Sequence, residues 1–356
     1  MYNLLILTIR KKKDFSFINK VYNLNYYKKK KAKVIIKSLA NNKKLYIQKD
    51  LKKKTFVICL FSKIREYLHY MQYLESKNFF WGFIDLKLSP VPKTNIVNFL
   101  KILMIKKNKI YYLLLIFKKK LFKLPNPKFL ISINDKNKYS DSKNSNQFLV
   151  RTNNFNYDKF IELKKSKKIN KKYILYLDEA LHFHDDYKYQ DFNCHLSNKK
   201  SFYIKLTSLF KKLEKKYQMP VYIALYPRFQ NLWGFKFFKD FKCISDNTAY
   251  MVKNCEVVLA HSSSSIDFAV IYNKPLNLIK SDNFSIYLNL NIAELKNILN
   301  VNLLNLEDNC SDINFNIKKK YYSNFFKNFI GKKNETKKSY ELIHENFIKY
   351  TNKNNF

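Results

Sequence analysis

The sequence predicts an α/β protein with mainly parallel sheets. Apolar runs of four to six residues recur along its 356 residues, and lysine-rich helical patterns separate them. The composition agrees: 46% hydrophobic and 17% aromatic residues describe a chain able to bury a core, not a disordered one. At this length two ordinary domains are expected.

Taken in order, Leu4–Ile9 (LLILTI), Lys33–Ile36 (KVII) and Thr55–Leu60 (TFVICL) read as strands, being short, apolar and rich in β-branched residues. A helical pattern follows at Ile64–Glu75, then a strand at Phe79–Ile84 (FFWGFI) and a second helical pattern at Asn98–Ile105. Ile110–Phe117 (IYYLLLIF), flanked by lysines, reads as a buried helix in preference to a segment resting on a membrane surface. Phe129–Ile133 is the next strand. The polar stretch Asn134–Gln147 is a loop, and Arg151–Lys172 a linker with a short helix. This places a boundary between a domain of residues 1–150 and one of residues 151–356. In the second, strands are expected at Tyr173–Leu177, Val221–Leu225, Val257–Ala260 and Leu276–Ile279, and helices at Phe202–Tyr217 and Ile266–Tyr272. A closing helix is expected at Tyr340–Tyr350, before a frayed end.

Lysine and arginine number 68 against 27 aspartates and glutamates, a formal charge of +41. Only four of the basic residues are arginine (Arg10, Arg65, Arg151, Arg228), and the chain holds three glycines and seven prolines. AT-rich codon usage produces that pattern. Arginine is the usual bidentate reader of phosphate and guanine, so its scarcity argues against a dedicated nucleic-acid binder. The lysines still attract anionic substrates or an anionic membrane surface. Five widely spaced cysteines without a CxxC fit reduced thiols in a cytoplasm. At the N-terminus the charge follows the apolar run, the reverse of a secretory signal. No apolar run approaches the roughly 20 residues of a membrane-spanning helix. A cytoplasmic protein, with peripheral contact at the inner face of the membrane, is the expectation.

Three stretches carry candidate chemistry. In CEVVLAHSSSSIDFAVIYNKPLNLI (residues 255–279), four serines join a strand ending at His261 to a helix starting near Ser264. Backbone N–H groups at such a junction suit an anion, and small side chains let a phosphate approach. Ser264 and Asp267 have capping-box spacing; capping accounts for one or two serines, not four. In YILYLDEALHFHDDY (residues 173–187) a strand runs into Asp178, Glu179, His182, His184, Asp185 and Asp186, where an open parallel sheet places ligands. The spacing matches no metal motif, so proton transfer is the better reading. In VYIALYPRF (residues 221–229) a strand end presents Arg228, suited to a phosphate or to a surface ion pair. Isolated glycines exclude GxGxxG and Walker loops, and no GxSxG elbow exists.

In their order, these three stretches resemble a group of bacterial surface-polysaccharide biosynthesis proteins, associated with lipopolysaccharide, O-antigen and capsule, that look like GT-B glycosyltransferases. The resemblance covers roughly residues 150–285. It rests on a Leu-Asp strand end with a His/Asp loop, a proline–arginine turn, and a Ser-rich turn before a helix ending in Lys274–Pro275. It implies a GT-B-like α/β fold of two Rossmann-like parallel-sheet domains facing across a cleft, acceptor side first and nucleotide-sugar donor side second. The implied activity is metal-independent transfer of a sugar from a nucleotide sugar to a glycan or lipid-linked glycan, with no cofactor. Asp178, His184 and Asp186 would be catalytic, and Arg228, His261, Ser262, Ser263, Ser264, Ser265 and Lys274 would bind the donor phosphates. Tyr226 stands where the family's histidine usually precedes proline. That histidine's role is then either lost or taken up by the tyrosine hydroxyl. A nucleotide-sugar 2-epimerase-like enzyme and a non-catalytic polysaccharide-assembly protein are the alternatives.

Overall fold

The computed structural model describes residues 2–8, 15–39, 54–60, 68–86, 125, 127–133, 147–166, 171–181, 197–226, 234–308 and 312–354. The expected helices at Asn98–Ile105 and Ile110–Phe117 lie outside these residues. The described residues form two compact units, one of residues up to 86, 125–158 and from Gly331 onward, the other running from Lys159 to Ile330.

The first unit is built on β1 (Asn3–Thr8), β2 (Lys33–Ser38), β3 (Thr55–Leu60), β4 (Phe80–Asp85), β5 (Phe129–Ser132) and β6 (Phe148–Arg151). Their order is β2-β1-β3-β4-β5-β6, and every pair is parallel. Successive side chains of a strand point to opposite faces, and here both faces are apolar. Leu5, Leu7, Val57, Cys59, Trp81, Phe83 and Leu130 pack on the helix Leu68–Ser76 through Tyr70, Met71 and Leu74. Leu4, Ile6, Phe56, Ile58, Phe129 and Ile131 make the other face, covered by Ile18, Leu24, Tyr27, Ile343 and Phe347. Burial on both faces is the reason these strands read as continuous apolar runs instead of alternating ones. Gly82 in β4 has no room for a side chain: a Cβ there would lie 2.1 Å from the Phe129 carbonyl oxygen.

Two expectations change in this unit. The boundary at residue 150 falls inside β6, which continues the sheet through Phe129↔Phe148 and a bond from Thr152 N to Ser132 O. The closing helix, Ser339–Lys353, was expected in the second domain but belongs to the first unit. Phe347 stacks on Phe56 with ring centroids 3.9 Å apart, and the Asp158 carboxylate accepts bonds from the Ser339 N–H and hydroxyl at the helix start. Without that helix the part of this face made by Phe56, Phe80 and Phe129 would lose its cover.

The second unit contains β7 (Ile174–Leu177), β8 (Val221–Ala224), β9 (Lys242–Ile244), β10 (Val257–Ala260), β11 (Leu276–Lys280) and β12 (Asn302–Asn305), again all parallel. Their order is β12-β11-β10-β7-β8-β9. The chain builds outward from β7 to β9, returns to the centre, and builds outward the other way from β10. The order therefore reverses between β7 and β10, the Rossmann pattern, and ligands of open α/β sheets bind beyond the carboxyl ends of the strands at that reversal. The helix Lys199–Tyr217 buries Phe202, Leu206, Phe210 and Leu213; Asn198 caps its start by accepting from the Ser201 N–H. Among the described residues no helix is long and apolar enough to cross a membrane.

Candidate functional site

The sheet reversal brings two of the singled-out stretches side by side. β7 and β10 are neighbours, in register Ile174↔Val257 to Tyr176↔Leu259. The residues leaving their carboxyl ends, Asp178–Glu179 and His261–Ser265, therefore meet. The Glu179 Oε1 accepts from the Ser262 backbone N–H at 2.6 Å, and its Oε2 from the Ser262 hydroxyl at 3.5 Å. Burial pushes the Glu179 carboxyl up to about 8, and the neighbouring Asp178 adds to this. Bonds from the Ser262 and Ser263 amides oppose the rise.

Asp178 is held by backbone. Its Oδ1 accepts from the Ala180 N–H at 3.1 Å, and the amides of Tyr226 and Glu179 also donate to it. Burial raises it to about 6, against the pull of those three bonds. Burial thus raises both of the adjacent carboxyls, Glu179 further than Asp178. The turn that makes the site carries backbone strain: Ala180 sits at φ 47, the left-handed region that favours glycine.

The four serines divide the work of one tight turn. Ser265 is the N-cap residue of the helix Ile266–Ile271, and its side chain makes no capping bond. The Ser263 carbonyl accepts from Ile266 N–H at 3.1 Å and its hydroxyl from Ser265 N–H at 3.2 Å, while the Ser264 and Ser265 carbonyls take the Asp267 and Phe268 amides. Amides 265–268 are therefore closed within the turn. The Ser262 and Ser263 amides leave it and meet an acidic oxygen.

Two expected phosphate ligands are elsewhere. His261 is fully buried. Its Nδ1 lies 3.0 Å from the Ile279 carbonyl, which can only accept, so Nδ1 carries the hydrogen and Nε2 accepts from the Tyr176 hydroxyl at 2.8 Å. Burial lowers its pKa to about 4. His261 is a neutral tie between β7, β10 and β11, with no ring nitrogen left for a phosphate. Lys274 donates to the Cys255 carbonyl at 2.6 Å. Cys255 precedes β10 and Lys274 precedes β11, so this contact lies at the amino ends of the strands, one strand length (about 13 Å) from the serines.

Asp178 and Ser262–Ser265 are brought together. His184, Asp186 and Arg228, with His182, Asp185 and Pro227, lie outside the described residues, where no metal-ligand expectation is tested either. Glu179 stood unselected within the acidic stretch; its signal was a second carboxylate at the strand end beside the serine turn.

No protein-family model matches the sequence, and no curated protein sequence matches it. Solved structures similar to the chain include MnaA of S. aureus with UDP, at 12% identity and a TM-score of 0.45, covering 92% of this chain and 88% of that one. They also include the UDP-GlcNAc 2-epimerase of Methanocaldococcus jannaschii with UDP-GlcNAc and UDP, at 13% identity and a TM-score of 0.45, covering 98% and 99%. A third is a variant of the wall teichoic acid polymerase TagF, at 13% identity and a TM-score of 0.45, covering 98% of this chain and 90% of that one.

Proposed function

We propose that the chain binds a nucleotide sugar beyond the carboxyl ends of β7 and β10 and transfers its sugar to a glycan or lipid-linked glycan of a bacterial surface polysaccharide. The observation that carries the reading is the Glu179–Ser262 contact at the sheet reversal. An acidic oxygen already rests on the amides that a diphosphate oxygen would use, and burial, which raises the Glu179 carboxyl, lessens the negative charge that ligand would meet there. Further support comes from the order of the sequence motifs.

In this reading the phosphate displaces the Glu179 carboxyl from Ser262 and Ser263, whose N–H groups then donate to it as it departs, electrostatic stabilisation of the oxyanion-hole kind. The Ser263 and Ser264 hydroxyls add to it. Asp178, poised at about 6, takes the proton of the acceptor hydroxyl. His184, Asp186 and Arg228 retain the roles the resemblance implies, acid–base partners and a phosphate cation. His261 and Lys274 drop out of the phosphate set and hold the scaffold.

Thermal shift with a panel of nucleotide sugars, on wild type and on Ser263→Ala/Ser264→Ala, tests the binding half. Stabilisation of wild type that shrinks in the variant is expected; no shift with any nucleotide overturns the reading. Product analysis tests the rest: an isomerised, free nucleotide sugar would replace transfer by epimerisation.

A further inference from the structure

We infer that the outward face of the helix Lys199–Tyr217 docks on an anionic lipid surface. Phe202, Leu206, Phe210 and Leu213 turn toward the core of their own unit. On the opposite side Lys200, Ile204, Ser208, Lys212 and Lys215 follow one another at spacings of four, four, four and three, which places them in one line along the helix. All are exposed, and Ile204, at 57%, is the most exposed large hydrophobic residue among those described. A shallow groove of about 410 Å³ runs along this face, lined by Ile204, Thr207, Ser208, Lys211, Lys212 and Lys215.

Part of the charge on this face is uncompensated. Lys205, Lys211 and Lys216 pair with Glu307, Asp240 and Asp312. Lys200, Lys212 and Lys215 have no carboxylate partner among the described residues. Glu214, the helix's single acid, turns away to accept from the Val221 N–H at 2.8 Å.

The chemistry of the face selects a lipid partner. Protein interfaces are anchored by tryptophan, tyrosine and arginine and depleted in lysine. A nucleic-acid face would use arginine, which this helix lacks. Flexible lysines around one exposed aliphatic side chain suit a headgroup layer: their stems lie along the apolar boundary while the ammonium groups reach phosphate. Each basic residue at such a surface multiplies partitioning about fivefold. The inference is independent of the reaction catalysed.

Co-sedimentation of the full chain with phosphatidylcholine vesicles, with and without phosphatidylglycerol, tests it at physiological salt. Binding is expected only with phosphatidylglycerol, and Lys212→Glu/Lys215→Glu should lower it about tenfold or more. Lys349→Glu/Lys353→Glu makes the same charge change on the exposed face of another helix, and should bind as wild type does. Unchanged wild-type melting shows that both variants fold. Failure to bind phosphatidylglycerol vesicles, or equal loss in both variants, overturns the inference. So does duplex DNA that the wild-type chain binds more tightly than phosphatidylglycerol vesicles at the same salt and that Lys212→Glu/Lys215→Glu does not bind, because the face would then belong to nucleic acid.

Discussion

The Glu179 carboxyl lies 2.6 Å from the Ser262 backbone nitrogen, an acid from the end of β7 seated on an amide leaving the end of β10. The contact joins the two strands at which the sheet order reverses. It also sets a pH dependence. The carboxyl is raised from an ordinary 4.5 to about 8, so folding favours its protonated form. Stability from this group is fully present below 4.5 and is lost as pH rises through 8. Glu179→Gln, which mimics the protonated side chain, should flatten the decline between pH 5 and 9. On the order of 2 kcal/mol of wild-type stability should disappear over that interval, after discounting for partial exposure. Urea unfolding of both proteins across the range measures it, and parallel profiles would remove the contact from the account.

His261 works in the opposite direction. Its pKa falls from 6.5 to about 4 because the ring is buried neutral between Tyr176 and Ile279. The stability it contributes is present above pH 6.5 and is lost as pH falls through 4. His261→Ala leaves two buried polar partners unsatisfied and should cost about 3 kcal/mol at pH 7. Its acid unfolding should also lack the wild-type component between pH 6.5 and 4. Chemical denaturation as a function of pH reads both effects.

Ala180 carries the strain of the turn that follows the two carboxyls, at φ 47. Left-handed backbone costs a residue with a Cβ about 1–2 kcal/mol, and glycine gives back part of that gain as unfolded-state entropy. Ala180→Gly should therefore stabilise the protein by about 0.5–1 kcal/mol. A destabilised variant would mean that the turn is relaxed. The midpoint of urea unfolding at neutral pH decides it.

Much of the fold was legible because parallel strands buried on both faces read as unbroken apolar runs, as in Leu4–Leu7 and Val257–Ala260. The strands that were not singled out lacked that signal. Lys242–Ile244 has three residues and an exposed lysine, and Asn302–Asn305 is asparagine at both ends. Phe148–Arg151 follows a polar loop and was taken as a domain edge. The helix Ser339–Lys353 was recognised but assigned to its neighbour in sequence, since nothing in a heptad of apolar residues says which sheet Phe347 will cover. At the site, the serine turn and the acidic pair were legible as strand-end chemistry. Their contact was not, because it depends on strand order: β7 and β10 are separated in sequence by β8 and β9, yet are neighbours in the sheet. The scaffold bonds of His261 and Lys274 were not legible for a related reason. A histidine closing a strand and a lysine closing a helix look alike in sequence whether they face ligand or core.

Lys274 gives the sharpest separation of scaffold from site. Its ammonium is bonded to the Cys255 carbonyl, and Tyr322 donates its hydroxyl to the Lys274 carbonyl at 2.9 Å, so both ends of the residue tie elements together at the amino ends of the strands. Lys274→Met keeps the length of the stem and deletes the charged bond, which should cost about 1.5–3 kcal/mol of stability. Because the serine turn lies at the other end of β10, the extra stabilisation conferred by a nucleotide sugar should be the same in Lys274→Met as in wild type. Ser263→Ala/Ser264→Ala should lose only about 1 kcal/mol without ligand, from the Ser263 hydroxyl's bond with the Ser265 N–H, and should show a smaller ligand shift. Unfolding midpoints of the three proteins with and without nucleotide separate the two effects. A ligand shift lost in Lys274→Met would return that lysine to the phosphate set and displace the site from the carboxyl ends of the strands.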